Sequence, residues 1–307
     1  MTGILTSGLE QGLVFSFMVL GVFVTFRVLD FPDLTVDGSI VTGAAVTAML
    51  LTNGWSPALA TATGTLAGFA AGTVTGVLHV LLKSGSDATN YGPKLLAGIL
   101  TMTALYSLNL RIMGLGTSAT ARSNVPLLGE PTLIESIENL LSIELTTWRL
   151  IAALAILALM VKLVLDWFLH TEVGLAMQAT GDNEQMIKAL GVNTTIVRIA
   201  GLGLANALVA LSGALVAQTQ GFADIGMGIG TIVAGLAGVI IGEVLFGSRS
   251  VTWVLFSVIG GSVVYRLLIA GALRVEQIDP TDLRLLTAIL VVIALATPTV
   301  RRKVVRM

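Results

Sequence analysis

The sequence has no cysteine, two histidines and very little charge: only 11% of its 307 residues are Asp, Glu, Lys or Arg. Without cysteine there is no disulfide, no thiol nucleophile and no thiolate metal site. His79 and His170 lie far apart in apolar or boundary surroundings, so they make no metal centre on their own. A soluble domain carries roughly a quarter charged residues, so the shortage of charge excludes a soluble enzyme. Also missing are a G-x-x-x-x-G-K-[ST] phosphate loop, an H-E-x-x-H pair and a G-x-S-x-G elbow. The chain is therefore not expected to hydrolyse ATP by itself, and an intramembrane hydrolase lacks its residues. Region 1–11 has no basic segment of the kind that opens a secretory signal, and the apolar run after it reads as a first span. The net charge of −1 carries no information about nucleic acid, and no nucleic-acid partner is expected.

What fills the sequence instead is apolar residues (55%) and 34 glycines. Apolar runs of helical length, bounded by Gly, Pro, Asn or charge, fall near 9–28, 35–52, 57–82, 94–114, 147–169, 195–218, 227–246, 251–273 and 282–299. The expected fold class is all-α: a polytopic membrane protein of about nine transmembrane helices, forming one transmembrane domain over 1–307. Gly64, Gly68, Gly72 and Gly76 recur at four-residue spacing, which puts small residues on one helix face. Such a face allows close helix packing, within the chain or against a second copy.

Lys and Arg set the orientation. With the carboxyl end (Arg301, Arg302, Lys303, Arg306) in the cytoplasm, nine spans place the amino terminus outside, and eleven of the 17 basic residues fall on the inner side. Glu130, Glu135, Glu138 and Glu144 then crowd the outer loop 115–146, and Glu276, Asp279 and Asp282 precede the last span. Leu133, Ile134, Ile137, Leu140 and Leu141 give that outer loop the stripe of an amphipathic helix.

The inner stretch 170–194 has a pattern of its own. Residues 171–193, TEVGLAMQATGDNEQMIKALGVN, divide at Gly181 into two short helices, with Asp182 and Gln185 spaced as a capping box and Gly191 as a stop. The second offers Met186, Ile187, Ala189 and Leu190 as a small apolar patch. A helix this short is marginal alone in water, so it needs a partner to pack on.

A repeat joins two other segments. Phe31, Asp33, Leu34, Val36, Gly38, Ser39, Ile40, Val41 and Gly43 match Phe222, Asp224, Ile225, Met227, Gly230, Thr231, Ile232, Val233 and Gly235 with one insertion. Each copy opens a membrane helix, the first from the inside and the second from the outside, so the expectation is an inverted repeat with discontinuous helices around a pathway. Asp33, Asp37 and Asp224 are candidates for capping those helix ends or meeting a solute. Asn109, Asn206 and Gln218 are further pathway candidates, with simple interhelical hydrogen bonding as the alternative.

Residues 171–193 resemble the cytoplasmic coupling segment of ABC importer permeases of the branched-chain amino acid and ribose-type group, where G-x-A-x-x-A-x-G-x-N-x-x-x-A-x-x-x-G-[IV]-N precedes a membrane helix. The stretches FRVLDFPDLTVDGSIVTGAA and KLLAGILTMTALYSLNLRIMG are similar to the tryptophan/tyrosine-type branch. The polar run 84–93 departs from that pattern. The resemblance implies a type II ABC importer-like permease in the bacterial cell (inner) membrane. It would work as a homodimer with a pair of ATPase subunits and an extracytoplasmic substrate-binding protein. ATP and Mg would sit on the ATPase, leaving this chain with no cofactor. The coupling segment would dock on the ATPase, with Gly174, Ala176, Ala179, Gly181, Asn183, Ala189, Gly191 and Asn193 giving shape and Asp182, Glu184, Met186, Ile187 and Lys188 close to the contact. The solute would be small and polar, an amino acid or a related compound. An ion-coupled secondary transporter that works without an ATPase is the other reading of the repeat and its acidic residues.

Overall fold

The computed structural model describes residues 2–83, 92–115, 121–136 and 147–272, together with 285, 287–289 and 292. In chain order the elements begin with α1 (Thr2–Phe23), a π-helical turn (Val24–Val28), α2 (Thr35–Thr52), α3 (Pro57–Lys83) and α4 (Gly92–Gly114). They continue with β1 (Asn124–Pro126), α5 (Thr147–Leu169), α6 (Glu172–Asp182), α7 (Glu184–Ala189) and α8 (Thr194–Gln220). The last are β2 (Phe222–Asp224), a 3-10 turn (Ile225–Gly228), α9 (Thr231–Phe246) and α10 (Val251–Ala272). Among the described residues eight helical segments are long and apolar enough to cross a bilayer. They coincide within a few residues with the first eight predicted spans. Most of the expected ninth, the stretch 84–91 and most of the amphipathic stripe lie outside the described residues; of that stripe, Leu133 and Ile134 are in a helical turn.

The chain is a polytopic, almost wholly helical membrane protein. Large side chains such as Leu59, Leu66, Val74 and Leu81 on α3, and Ile156, Leu163 and Val164 on α5, point outward. That much exposed apolar surface suits hydrocarbon, not water.

The chain forms two compact units, one of residues 21–144 and 167–231, the other of 1–20, 145–166 and 232–307. In the first, α8 is the central helix and packs against α2 and α3 through glycine. A Cβ on Gly72 would collide with the Leu202 carbonyl, one on Gly43 with the Ala210 carbonyl, and one on Gly213 with the Ile40 carbonyl. Lipid chains are as apolar as leucine, so helices associate in a bilayer by packing, and missing side chains let backbones touch. The four-residue glycine stripe is thus used inside the chain: Gly68, Gly72 and Gly76 face α8, and Gly64 faces Gly43 and Thr47 on α2.

The second unit uses the same device between α1, α9 and α10. Gly8 and Gly12 lie against Leu267 and Val263, Ser262 Oγ donates to the Gly12 carbonyl at 2.8 Å, and Gly242 lies against the Ser257 carbonyl. Lys162, only 1% exposed, donates to Asp166 Oδ2 at 2.9 Å one turn on, and its ammonium lies 4.2 Å from the centre of the Phe256 ring. Asp166 Oδ1 also accepts from Thr252 Oγ1 at 2.9 Å, so a charge buried in a span is compensated on all sides.

Replacing Gly72 by Val should lower stability in mild detergent by about 1–3 kcal/mol, because a backbone carbonyl cannot move aside as a side chain can. Gly271→Ala, where a Cβ meets nothing within 4 Å, is the matched control. Equal melting temperatures for the two variants would contradict this packing.

Candidate functional site

Two places in the first unit concentrate polar groups. One lies where the repeated segments open; the other is the segment between α5 and α8.

At the first, the repeat is visible as chemistry. Asp33 Oδ1 accepts from the Thr35 amide at 2.9 Å, and Asp224 Oδ1 accepts from the Gly226 amide at 2.7 Å. The remaining oxygen of each carboxylate accepts from an asparagine: Asn206 Nδ2 to Asp33 Oδ2 at 2.6 Å, Asn124 Nδ2 to Asp224 Oδ2 at 3.3 Å. In both copies the carboxylate turns the chain locally and then ties it to another element. Asp33 is fully buried against Asn206, which lies about 18 Å along α8 from its start at Thr194. The first turn of α2 is therefore well inside the bundle, and its amide ends must be satisfied by protein.

Asp37 belongs to the first copy but serves the second. Its Oδ2 accepts from the Gly230 amide and its Oδ1 from Thr231 Oγ1, both at 2.9 Å. Gly228 has no Cβ to keep it from the Asp37 carbonyl, so the 3-10 turn lies directly on α2. Asn109 on α4 donates to the Gly38 carbonyl at 3.3 Å. Asp33 and Asn206 are thus brought into contact, while Asp37 meets residues 230–231 and Asn109 meets α2 at Gly38, next to Asp37. Gln218 lies apart at the far end of α8, where Nε2 donates to Thr61 Oγ1 (2.9 Å) and Oε1 accepts from the Leu133 amide (2.7 Å). That last bond, with the pairing of β1 and β2, holds the loop after α4 against the entry to the second copy.

The second place is centred on Glu184. Its Oε1 receives Lys83 and Lys188, each at 2.8 Å, and its Oε2 receives Arg198 Nη2 at 3.0 Å. Arg198 also contacts His79 Nε2 at 3.2 Å, and the His79 ring stands edge-on to Phe31. Partial burial alone would raise the Glu184 carboxyl, but hydrogen bonds from Lys188, Lys83 and Arg198 hold it well below the ordinary carboxylate range. One carboxylate thus fixes α7 to the end of α3 and the start of α8.

Two expectations for this segment need correction. The helix break is at Asn183, whose backbone is extended and whose Oδ1 accepts from the Met186 amide at 3.0 Å; the Asp182–Gln185 pair is not the cap. Gly181 lies inside α6 because any Cβ there would strike the Val28 carbonyl, so it is a packing glycine. Gly174 has the same role against the Phe168 carbonyl, whereas Gly191, at φ +86°, is the stop expected of it. The apolar patch is also split. Ile187 is 6% exposed and faces inward, while Met186 (54%) and Leu190 (72%) face out one turn apart, with Lys188 beside them. The sequence reading did not find the partners Lys83, Arg198, His79 and Asn124; they lie about 100 residues away or sit in spans where charge reads as an end effect.

Together these features define a multi-pass helical permease with interrupted helices and one structured segment outside the spans. The chain belongs to the family described as branched-chain amino acid transport system / permease component, whose model matches residues 4–296. It is 43% identical over 297 residues to the tyrosine transport system permease protein of Clostridioides difficile (strain R20291), covering 97% of this chain and 92% of that one. It is 33% identical over 298 residues to an uncharacterized protein of Rickettsia prowazekii (strain Madrid E), covering 96% and 97%. The autoinducer 2 import system permease protein LsrC of Escherichia coli O9:H4 (strain HS) is 27% identical over 250 residues, 80% of this chain and 63% of that one. No solved structure matches.

Glu184→Gln should lower stability by about 1–2 kcal/mol at neutral pH, since Arg198 would stay buried without its carboxylate. A carboxyl held below its unfolded value stabilises fully above the ordinary glutamate range and loses that contribution as pH falls toward the folded value. Melting curves of wild type and variant should therefore differ by a constant amount near neutrality and converge in acid. A gap that widens in acid would be inconsistent with this arrangement.

Proposed function

We propose that this chain is the membrane subunit of an ATP-driven importer for a small polar solute, an amino acid or a compound related to one. The permease works as a homodimer in a bacterial inner membrane, with its amino terminus outside and its carboxyl terminus in the cytoplasm. A substrate-binding protein delivers the solute outside, and a pair of ATPase subunits holding ATP and Mg docks on α6–α7. The family and the named relatives support the transport class. The observation that carries the docking surface is the exposed pair of Met186, on the six-residue helix α7, and Leu190, just past its end, with Glu184 tying that helix down from within.

The geometry also supplies a route for coupling. Gly181 on α6 abuts the backbone at Val28 and Leu29, Met177 lies against Gly201 on α8, and a few residues beyond Leu29 the chain reaches Asp33 and the start of α2. A push on α7 passes through α6 to the turn before α2, and from α2 through Asp37 to residues 230–231. Elements packed without side-chain slack move together, so the displacement is not absorbed on the way.

Substituting both Met186 and Leu190 by Asp should abolish co-purification with the ATPase and ATP-dependent uptake, while the permease itself stays monodisperse, because both side chains are exposed. Ile187 is excluded from this test since it is part of the interior. Intact assembly and transport would remove the docking assignment, and uptake by the chain alone on an ion gradient would replace the ATP-driven reading.

Since the sequence has no cysteine, single-cysteine variants report sidedness cleanly. A membrane-impermeant maleimide should label Leu128→Cys in intact spheroplasts, and Leu190→Cys only in inverted vesicles; both native positions are well exposed. The opposite pattern would reverse the orientation.

A further inference from the structure

Glu184 is outnumbered by its partners. Lys83 and Lys188 each reach its Oε1 at 2.8 Å and Arg198 reaches its Oε2 at 3.0 Å, so three cations share one carboxylate. Among the described residues no further carboxylate meets the two surplus positive charges. Asp30, on the turn before α2, is engaged by Lys94 at 3.6 Å. His79 adds no negative charge: Arg198 Nη1 can only donate, so His79 Nε2 accepts from it at 3.2 Å and the ring is neutral. The Nε of Arg198, a side chain only 6% exposed, has no hydrogen-bond partner among the described residues. The cluster is short of acceptors as well as of negative charge, and a part-buried excess of positive charge is costly until an anion joins it.

Two features place that anion in the membrane. Lys83 is the last residue of α3, whose 27 residues run about 40 Å, longer than the roughly 30 Å hydrocarbon core. The end of α3 therefore reaches the level of the lipid phosphates. Leu81 and Ile196, two residues before Lys83 and Arg198, are 66% and 63% exposed, so both helices present apolar side chains to the acyl region at that level. The second feature is direction. At 3.6 residues per turn, Glu184 and Met186 stand about 200° apart around α7. The cation cluster and the outward Met186 thus point in nearly opposite directions, and a protein seated on Met186 would not supply the missing anion.

We propose that this cluster binds the phosphate diester of an anionic phospholipid in the leaflet on the α7 side, with Lys83 and Lys188 meeting its oxygens and Arg198 lying behind them as buried charge. The headgroup must carry net negative charge, because a zwitterionic one brings its own ammonium into a site already two charges positive. The lipid draws on the same lysines that hold Glu184, and so bears on how firmly α7 is anchored. The site does not depend on which solute the permease carries.

The test uses the purified full-length chain in mild detergent, with thermal unfolding followed as dioleoyl phosphatidylglycerol, dioleoyl phosphatidylcholine or inorganic phosphate is titrated in. Phosphatidylglycerol should raise the melting temperature saturably, and the other two should not. Lys83→Gln and Lys188→Gln should each raise the lipid concentration at half effect about fivefold, while Lys83→Arg leaves it unchanged. Arg249→Gln, at an exposed cation outside the cluster, controls for general surface charge and should not move it. Glu184→Gln removes the competing carboxylate, so it should tighten the lipid while lowering stability, a combination that a purely structural loss would not produce. An equal response to phosphatidylcholine, saturation by inorganic phosphate alone, or the same loss in Arg249→Gln as in the lysine variants would each overturn the proposal. So would lysine variants that keep the lipid response but no longer co-purify with the ATPase, which would assign the surplus charge to a protein partner.

Discussion

The bonds from Asp37 to the Gly230 amide and Thr231 Oγ1 are the interaction around which the rest of the first unit is arranged. A helix that begins inside a bilayer leaves its first amides without partners, and hydrocarbon supplies none. Here two chain segments begin inside the bundle and each needs an answer. Asp33 and Asp224 meet that need locally by accepting the amide two residues on, and Asp37 meets it across the repeat. Interrupted helices are tolerable because carboxylates and asparagines replace the missing turns. The acidic residues that looked costly in an apolar sequence are what make the breaks possible.

Glycine supplies the complementary constraint. For Asp37 to reach residue 230, the 3-10 turn must lie on the α2 backbone, which the absence of a side chain at Gly228 permits. For Asp33 to reach Asn206, α2 must sit close to α8, which Gly43 and Gly213 permit. The polar bonds and the close packing are therefore not separate contributions. Enlarging one of these glycines would lengthen the hydrogen bonds as well as create a clash, so small residues and buried carboxylates form a single design.

Much of this could be read in the sequence. The spans were legible because an apolar run of about 20 residues has few other uses, and the boundaries at Thr35, Pro57, Thr147 and Val251 carry turn-forming or polar residues just before them. The repeat was legible because its aspartates keep the same spacing to the amides they cap. The inward face of α7 was not: six residues make under two turns, too few for periodicity to distinguish Ile187 from Met186. Gly181 misled for a related reason. Glycine marks both helix ends and close helix contacts, and only the position of the Val28 carbonyl decides between them. The partner Lys83 of Glu184 was out of reach because an ion pair between residues 83 and 184 leaves no local pattern.

The Glu184 cluster and the Asp37 cluster also differ in how they can respond to force. Glu184 is held by three cations on three elements, so displacing α7 alone would strand Arg198, which is 6% exposed, without its carboxylate. That cost favours moving α7 together with the start of α8 and the end of α3. Asp37, by contrast, holds residues 230–231 by two neutral donors, bonds individually weaker than charge-assisted pairs between ions. The first unit thus has its stiffer joint at α7 and its softer one where the repeated segments meet.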